Sequence, residues 1–142
     1  GLTPLAAGPP IPKYERSGLD AAQAHQILDA ALAALARNRR FADPALSLRG
    51  LAEAAHTTPH LLSEALNHHG GDSFNDLLNQ TRINDAKAQL LDPSNDHFTI
   101  EGIAQAAGFR SRSAFYTTFR RLEGVTPAEF RSRAKDSRKN VS

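Results

Sequence analysis

The chain has 142 residues, a formal net charge of +2 and 40% hydrophobic residues, which is enough for one packed domain or two small ones. It contains no Cys, which excludes disulfides, zinc–thiolate sites and thiol chemistry. No apolar run reaches the roughly 20 residues that a membrane span needs. Ala and Leu are frequent, and aromatic residues make up only 6%, a composition that favours helix throughout.

The N-terminal part of the sequence predicts a linker followed by one helix. Residues 1–16 are rich in Pro and Gly and predict a flexible linker. Residues 17–44 predict an N-terminal helix, capped by Ser17, and its connection. The helix ends in a basic run of Arg37, Arg39 and Arg40. Their charges suit the C-terminal dipole of the helix or, as the alternative, contact with a phosphate.

The absence of Met bears on what the chain is. Because the sequence starts with Gly1 and contains no Met, we expect it to be a C-terminal fragment. A missing N-terminal sensory or dimerisation region would then carry the signal input.

A first helix-turn-helix pattern covers residues 47–71, within a predicted bipartite domain over 45–134. Ser47 caps its first short helix, and Thr58 precedes a Pro that opens the second helix. His56 occupies the turn between them.

A long linker helix over residues 73–91 joins this pattern to a second one over 99–124, whose turn lies at Gly108. The last helix is predicted over 127–134, and a disordered basic tail over 135–142. The fold class is therefore predicted to be all-α. It has two helix-turn-helix subdomains joined by a long linker helix and preceded by one extra N-terminal helix.

The two patterns repeat each other in sequence at separations of 52 and 53 residues. A straight linker helix would span roughly 27 Å. With the helices packed at each end, it would set two reading helices about one DNA turn, ~34 Å, apart. The matching apolar positions are Leu48, Leu51 and Ala52 with Ile100, Ile103 and Ala104.

Charge is distributed unevenly along the chain. Residues 99–142 contain nine Lys and Arg against four Asp and Glu, a net charge of +5. Residues 1–98 contain eight against eleven, a net charge of −3. The basic end coincides with the clearer helix-turn-helix pattern, as expected for a surface that binds a polyanion.

The second pattern also resembles a known family. The stretch IAQAAGFRSRSAFYTTFRRLEGVTPAEFR, from Ile103 to Arg131, is similar to the C-terminal signature of the AraC/XylS family of bacterial transcription regulators. The upstream copy resembles the first unit of that family and includes an R-x-x-x-A-K segment at Arg82. The family usually has a Gly in the turn of that unit where this chain has His56, so the resemblance implies a positive φ there, which His tolerates at a cost. The resemblance extends from about Leu46 to Arg133. It implies sequence-specific double-stranded DNA binding for transcription regulation, with two recognition helices in adjacent major grooves.

The resemblance also implies partners and location. Promoter DNA is the expected partner and RNA polymerase a further one, with no cofactor and no small-molecule ligand for this fragment. The helix over residues 17–40 and the phrase LLSEALNHH resemble a subgroup in which the domain follows a membrane-spanning or other sensory region. We therefore expect a cytoplasmic domain, including the case of the cytoplasmic part of a membrane-anchored regulator.

Four residues near the start of the second unit's reading helix are predicted to contact base edges, and the resemblance places base contacts there too. Arg112 suits bidentate bonds to guanine O6 and N7, worth ~1–3 kcal/mol of discrimination. The set is Arg112, Ser113, Tyr116 and Thr117.

The corresponding residues of the first unit are poor in positive charge. Glu64 would repel phosphate unless it accepts from cytosine N4, so we expect the second unit to dominate affinity. The predicted base-contacting set of the first unit is His60, Leu61, Ser63 and Glu64. The predicted phosphate-contacting set is Arg110, Ser111, Arg120, Arg121, Asn67, Thr58 and Thr126.

Other function classes fit the sequence less well. The cluster of His56, His60, His68 and His69 lacks a nearby Cys or carboxylate set, so no metal site is predicted. No nucleophile elbow or phosphate loop occurs, so no enzyme is predicted. The main alternative is a helical protein-interaction module without sequence-specific DNA binding. Such a module should expose an apolar stripe, whereas residues 112–121 expose Arg, Ser and Thr.

Overall fold

The structure is a computed structural model that describes residues 19–69 and 71–141. The linker predicted over residues 1–16 and the predicted cap at Ser17 lie outside these residues. The described residues contain seven α-helices and no strand, so the predicted all-α class is confirmed. The helices are α1 Ala21–Ala36, α2 Leu48–Ala54, α3 Pro59–His69, α4 Phe74–Leu91, α5 Ile100–Ala106, α6 Arg112–Glu123 and α7 Pro127–Val141.

Several helices begin at hydroxyl side chains that accept a hydrogen bond from a backbone N–H of the first turn. Ser47 accepts from the N–H of Gly50 at 3.1 Å, and Thr99 accepts from that of Gly102 at 2.9 Å. These caps stabilise the first helix of each helix-turn-helix pair. The predicted cap of α2 at Ser47 is thus confirmed.

The start of α1 differs from the prediction. The carboxylate of Asp20 accepts from the N–H of Gln23 at 2.8 Å, and the side chain of Gln23 accepts from the N–H of Asp20 at 2.9 Å. Asp20 is therefore the N-cap of α1, where the sequence predicted it at the third helical position. The reciprocal pair is the capping-box arrangement, with Gln in place of Glu.

The turns of the two helix-turn-helix pairs both use positive φ. His56 has a φ of 60°, as the family resemblance implied, and Gly108 has a φ of 106°. Gly108 also has no room for a side chain, because an added Cβ would lie 2.8 Å from the carbonyl oxygen of Phe41. The turn of the second pair thus depends on Gly for both conformation and space.

The chain divides into two compact units. The first contains residues 19–34 and 47–74, and the second contains residues 35–46 and 75–141. The predicted segment 17–44 is therefore not one separate piece, because its helix belongs largely to the first unit and its connection to the second.

Each unit has its own apolar core. In the first unit Leu51 and Leu62 are fully buried. In the second unit the rings of Phe109, Phe115 and Phe119 pack with their neighbours at centroid separations of 5.1 and 5.6 Å. These aromatic contacts fix α6 on the core and so determine which of its faces stays open.

The C-terminal helix is longer than predicted. A disordered tail was expected from residue 135, whereas α7 continues to Val141. Two causes are visible: Arg138 forms an ion pair with Asp96 at 3.3 Å, and basic residues of the last turn complement the helix dipole. Within the described residues, no helix combines the length and apolar character that crossing a membrane would require.

Candidate nucleic-acid interface

The helix α6 has one buried face and one open face. Phe115 and Phe119 are fully buried, whereas Ser113, Thr117 and Arg120 are exposed. The spacing of the exposed residues, four and then three, places them on one side of the helix, opposite the two Phe residues. The open face of α6 is therefore polar and carries a cation.

Arg112 is exposed but held by two neighbours. Its Nη1 lies 3.1 Å from Oε2 of Glu101 on α5, and its Cζ lies 4.8 Å from the centre of the Tyr116 ring. Tyr116 is itself half-buried and packs edge-on against Phe115 at 5.9 Å. The two predicted base-contacting residues Arg112 and Tyr116 are thus brought into direct contact with each other.

The predicted phosphate-contacting hydroxyls of this unit already have a structural task. Ser111 accepts from the N–H of Ala114 at 3.1 Å and caps α6. Thr126 accepts from the N–H of Glu129 at 3.1 Å, and Glu129 accepts from the N–H of Thr126 at 2.9 Å. Each hydroxyl oxygen accepts a hydrogen bond in its cap and still carries its own O–H. Each can therefore also donate a hydrogen bond to a phosphate oxygen.

The three predicted phosphate-contacting arginines differ in their surroundings. Nε of Arg110 donates to the carbonyl of Pro44 at 3.2 Å, which leaves its terminal nitrogens available. Arg120 and Arg121 lie exposed in the last turn of α6. The positive charge therefore lies at both ends of α6.

In the first unit, the reading helix α3 is partly covered. The base contact predicted for Leu61 stays a prediction. Leu61 is half-buried and packs against the cluster formed by Leu19, Ala24 and Ala65, so α1 partly covers this side of α3. The sequence pattern of α3 alone does not reveal that cover.

The remaining predicted residues of the first unit differ in their exposure. His60 is exposed, and its Nε2 lies 3.5 Å from Oε1 of Glu64, which is largely covered. Ser63 is half-buried and Asn67 is exposed. Thr58 caps the helix, with its hydroxyl accepting from the N–H of Leu61 at 3.1 Å.

One arginine that sequence reasoning did not assign a role is Arg82 of α4. It is 8% exposed, and it donates to the carbonyl oxygens of Phe41 and Asp43 at 2.8 Å each. The signal was present in the sequence, because Arg82 stands four residues from Leu78 and from Ala86 on the apolar face of α4. A charged residue in such a stripe predicts a buried hydrogen-bonded group.

One residue of the basic run after α1, Arg39, has a structural role that the sequence did not predict. The helix ends at Ala36, and Asn38 and Arg39 have φ values of 55° and 51°. Arg39 forms two 2.9 Å bonds to the carboxylate of Asp85 and donates to the carbonyl of Ala106. Arg39 therefore joins elements of the second unit.

Residues 51–133 match the family described as a helix-turn-helix domain, of the AraC type. The chain belongs to this family. The predicted resemblance to AraC/XylS-type DNA-binding domains is thus confirmed, and the family is one of DNA-binding transcription regulators.

Two relatives from Escherichia coli strain K12 illustrate the match. The chain is 31% identical over 94 residues to the HTH-type transcriptional regulator YijO, covering 66% of this chain and 32% of that protein. It is 32% identical over 93 residues to the HTH-type transcriptional regulator YpdC, covering 66% and 31%. The chain spans about a third of the length of the curated relatives it matches.

Two solved structures share the fold. The C-terminal domain of AraT, a response regulator from Geobacillus stearothermophilus, has a TM-score of 0.63 and 28% identity, covering 75% of this chain and 84% of that one. The DNA-binding domain of AdpA, solved in complex with a target DNA, has a TM-score of 0.65 and 22% identity, covering 80% and 96%. At that lower identity the second likeness concerns the fold alone.

Proposed function

We propose that this chain binds double-stranded DNA sequence-specifically and regulates bacterial transcription, with α6 as the main reading helix. The observation that carries the proposal is the division of α6 between a buried aromatic face and an open face of Ser113, Thr117 and Arg120. A reading helix needs this division, since one side must pack rigidly while the other enters the major groove. Membership in the helix-turn-helix family supports the proposal independently.

The roles within this unit follow from side-chain chemistry. Arg112 bonds a guanine edge, Ser113 and Thr117 contact a base edge or a phosphate, and Tyr116 packs on a thymine methyl. Arg110 and Arg120 bond phosphates, as does Arg121, and these contacts set the position of the protein on the duplex. The net charge of +5 over residues 99–142 strengthens the attraction to DNA of any sequence.

The helix α3 has the weaker part in this proposal. Its open side offers His60, Ser63 and Asn67, but Glu64 beside His60 opposes the approach of a phosphate backbone. We propose that α3 enters the adjacent major groove and adds modest selectivity. The second unit then supplies most of the affinity.

The biological setting is part of the same proposal. The domain acts on promoter DNA in the bacterial cytoplasm, with RNA polymerase as a further partner. A sensory or dimerisation region elsewhere in the full-length protein supplies the signal. Neither a cofactor nor a small-molecule ligand is needed for the proposed DNA binding.

Selection of bound sequences from a random double-stranded DNA library at physiological salt tests the proposal. We expect a motif with two blocks about ten base pairs apart, one of them stronger. Recovery of no motif, with binding that vanishes steeply as salt rises, would leave only non-specific charge attraction. That result would overturn sequence-specific recognition and favour a protein-interaction module.

A further inference from the structure

Glu101 on α5 is an acidic side chain within the surface that the proposed function turns toward DNA. Its Oε2 lies 3.1 Å from Nη1 of Arg112, and both side chains are well exposed. A carboxylate beside a phosphate-binding surface weakens the attraction of that surface for DNA. Glu101 is therefore expected beside Arg112 only if the contact improves DNA recognition enough to offset the weaker attraction.

The contacts of Arg112 indicate how the ion pair with Glu101 improves recognition. Glu101 holds Nη1, and the ring of Tyr116 lies 4.8 Å from Cζ, so the guanidinium is held at one end and over an aromatic ring. Neither Nε nor Nη2 bonds any other residue that the structure describes. These two nitrogens form the side edge of the guanidinium, which can make two parallel hydrogen bonds to guanine O6 and N7.

We propose that Glu101 is a positioning residue that sets the base preference of Arg112 for guanine. This inference rests on the proposed function. An arginine without a partner can turn toward a phosphate or toward several bases, because its side chain has many rotamers. The ion pair with Glu101 reduces both that freedom and the net charge of the group. Arg112 is thereby directed to a planar base edge in preference to a phosphate.

The arrangement also explains the role of Tyr116. The ring is half-buried and packs edge-on against Phe115, so it cannot follow Arg112 if the guanidinium moves. Tyr116 and Glu101 thus hold Arg112 from two sides, one from its own helix and one from α5. Base preference then depends on a contact between the two helices of the second unit.

The test uses the whole chain and a duplex that carries its selected motif. Affinities are measured for the parent duplex, for three duplexes in which the guanine is replaced, and for an unrelated duplex. The variants are Glu101→Gln, Arg112→Ala and the double variant. The matched control is Glu123→Gln, which removes the same charge from a second ion pair of this unit, Glu123 with Lys87 at 3.0 Å.

We expect Glu101→Gln to lower the preference for guanine over the other bases by about threefold at one position. Affinity for the unrelated duplex should stay equal or rise, since a negative charge is lost. Glu123→Gln should keep the full preference for guanine. The double variant should show the same preference for guanine as Arg112→Ala alone.

A purely structural role of Glu101 would give a different pattern. Affinity would then fall for every duplex by the same factor, or the preference would fall in Glu123→Gln as much as in Glu101→Gln. Either result, or an unchanged preference in Glu101→Gln, would overturn the inference while leaving DNA reading by α6 intact. A parent protein that prefers no base at any position would instead overturn the proposed function, and the inference with it.

Discussion

Nε of Arg82 donates a hydrogen bond to the carbonyl oxygen of Phe41 at 2.8 Å, across 41 positions of sequence. Nη2 of the same side chain reaches the carbonyl oxygen of Asp43, also at 2.8 Å. Burial lowers the pKa of Arg82, yet arginine remains protonated at neutral pH. A charged group inside the second unit thus ties the helix α4 to the connection that precedes α2.

Replacement of Arg82 by Met should lower the free energy of unfolding by about 3 kcal/mol, because two carbonyls lose a charged donor. Urea unfolding followed by circular dichroism measures the change. The control is Arg49→Met on α2, an exposed position where the change should stay within about 0.5 kcal/mol. Equal stability of the two variants would contradict the structural role of Arg82.

Gly108→Ala should destabilise the second unit by about 3 kcal/mol or more, because the strained φ and the steric overlap of the added Cβ act together. An added Cβ would lie 2.7 Å from Nε of Arg82 and 2.8 Å from the carbonyl oxygen of Phe41, at a φ of 106°. Gly124→Ala is the matched control, because its φ is 78° and nothing lies within 4 Å of the added Cβ. The free energy of unfolding of Gly124→Ala should fall by only about 1 kcal/mol. Thermal and urea unfolding compare the two variants, and a loss in Gly108→Ala no larger than in Gly124→Ala would rule out the close approach.

The local features of the fold could be predicted from the sequence because they depend on neighbours along the chain. Ser47 and Thr99 cap the helices that follow them, and a Ser or Thr directly before a helical stretch is the usual signal for such a cap. In each case the side chain acts within a few residues of its own position. Apolar spacing likewise places Phe115 and Phe119, which are both fully buried, on one face of α6.

The features that sequence reasoning missed all depend on residues far apart in the chain. Arg39 binds Asp85 and Ala106, and Arg131 donates to the carbonyl of Asn95 at 2.7 Å. An arginine that holds a distant carbonyl looks in sequence like any other surface cation. The cover of Leu61 by α1 and the continuation of α7 past residue 134 belong to the same class.

Arg112→Ala should lower affinity for the selected motif several-fold, about 1–3 kcal/mol, and relax the preference at one base pair. Arg37→Ala removes the same charge from an exposed site outside α3 and α6 and should change affinity little. Glu64→Ala should leave affinity unchanged or tighten it, as a negative charge leaves the surface of α3. Fluorescence anisotropy with labelled duplexes measures these affinities. If Arg112→Ala binds like the parent while His60→Ala abolishes binding, the roles of the two units are reversed.

Arg121→Ala should weaken binding to all duplexes alike, because a phosphate contact carries no sequence information. The slope of the logarithm of the affinity against the logarithm of salt concentration should become shallower by about 0.9. Arg37→Ala serves again as the control of equal charge and should keep the parent slope. A loss confined to the selected motif would instead mean that Arg121 contacts a base.

The capping box at the start of α7 predicts a dependence of stability on pH. Hydrogen bonds from Thr126, the backbone N–H foremost, lower the pKa of Glu129 below its usual value. A lowered pKa in the folded state stabilises it above the unfolded pKa, about 4.3, and this contribution is lost as pH falls through the folded pKa.

Glu129→Gln keeps the acceptor of this box without the charge, so it isolates the titration. We expect the parent to lose stability relative to Glu129→Gln as pH falls below about 4.3, and the difference to be constant near neutral pH. Urea unfolding at a series of pH values gives both curves. If the stability curves of the parent and Glu129→Gln run parallel throughout the acid range, the charge of Glu129 does not stabilise the start of α7.

The most direct test of DNA reading by the two units is an affinity scan across the selected duplex, in which each base pair is replaced in turn. We expect one block of strong effects, a weaker block about ten base pairs away, and loss of the guanine effect in the strong block alone for Arg112→Ala. A flat profile, or a strong block that Arg112→Ala leaves intact, would contradict this expectation.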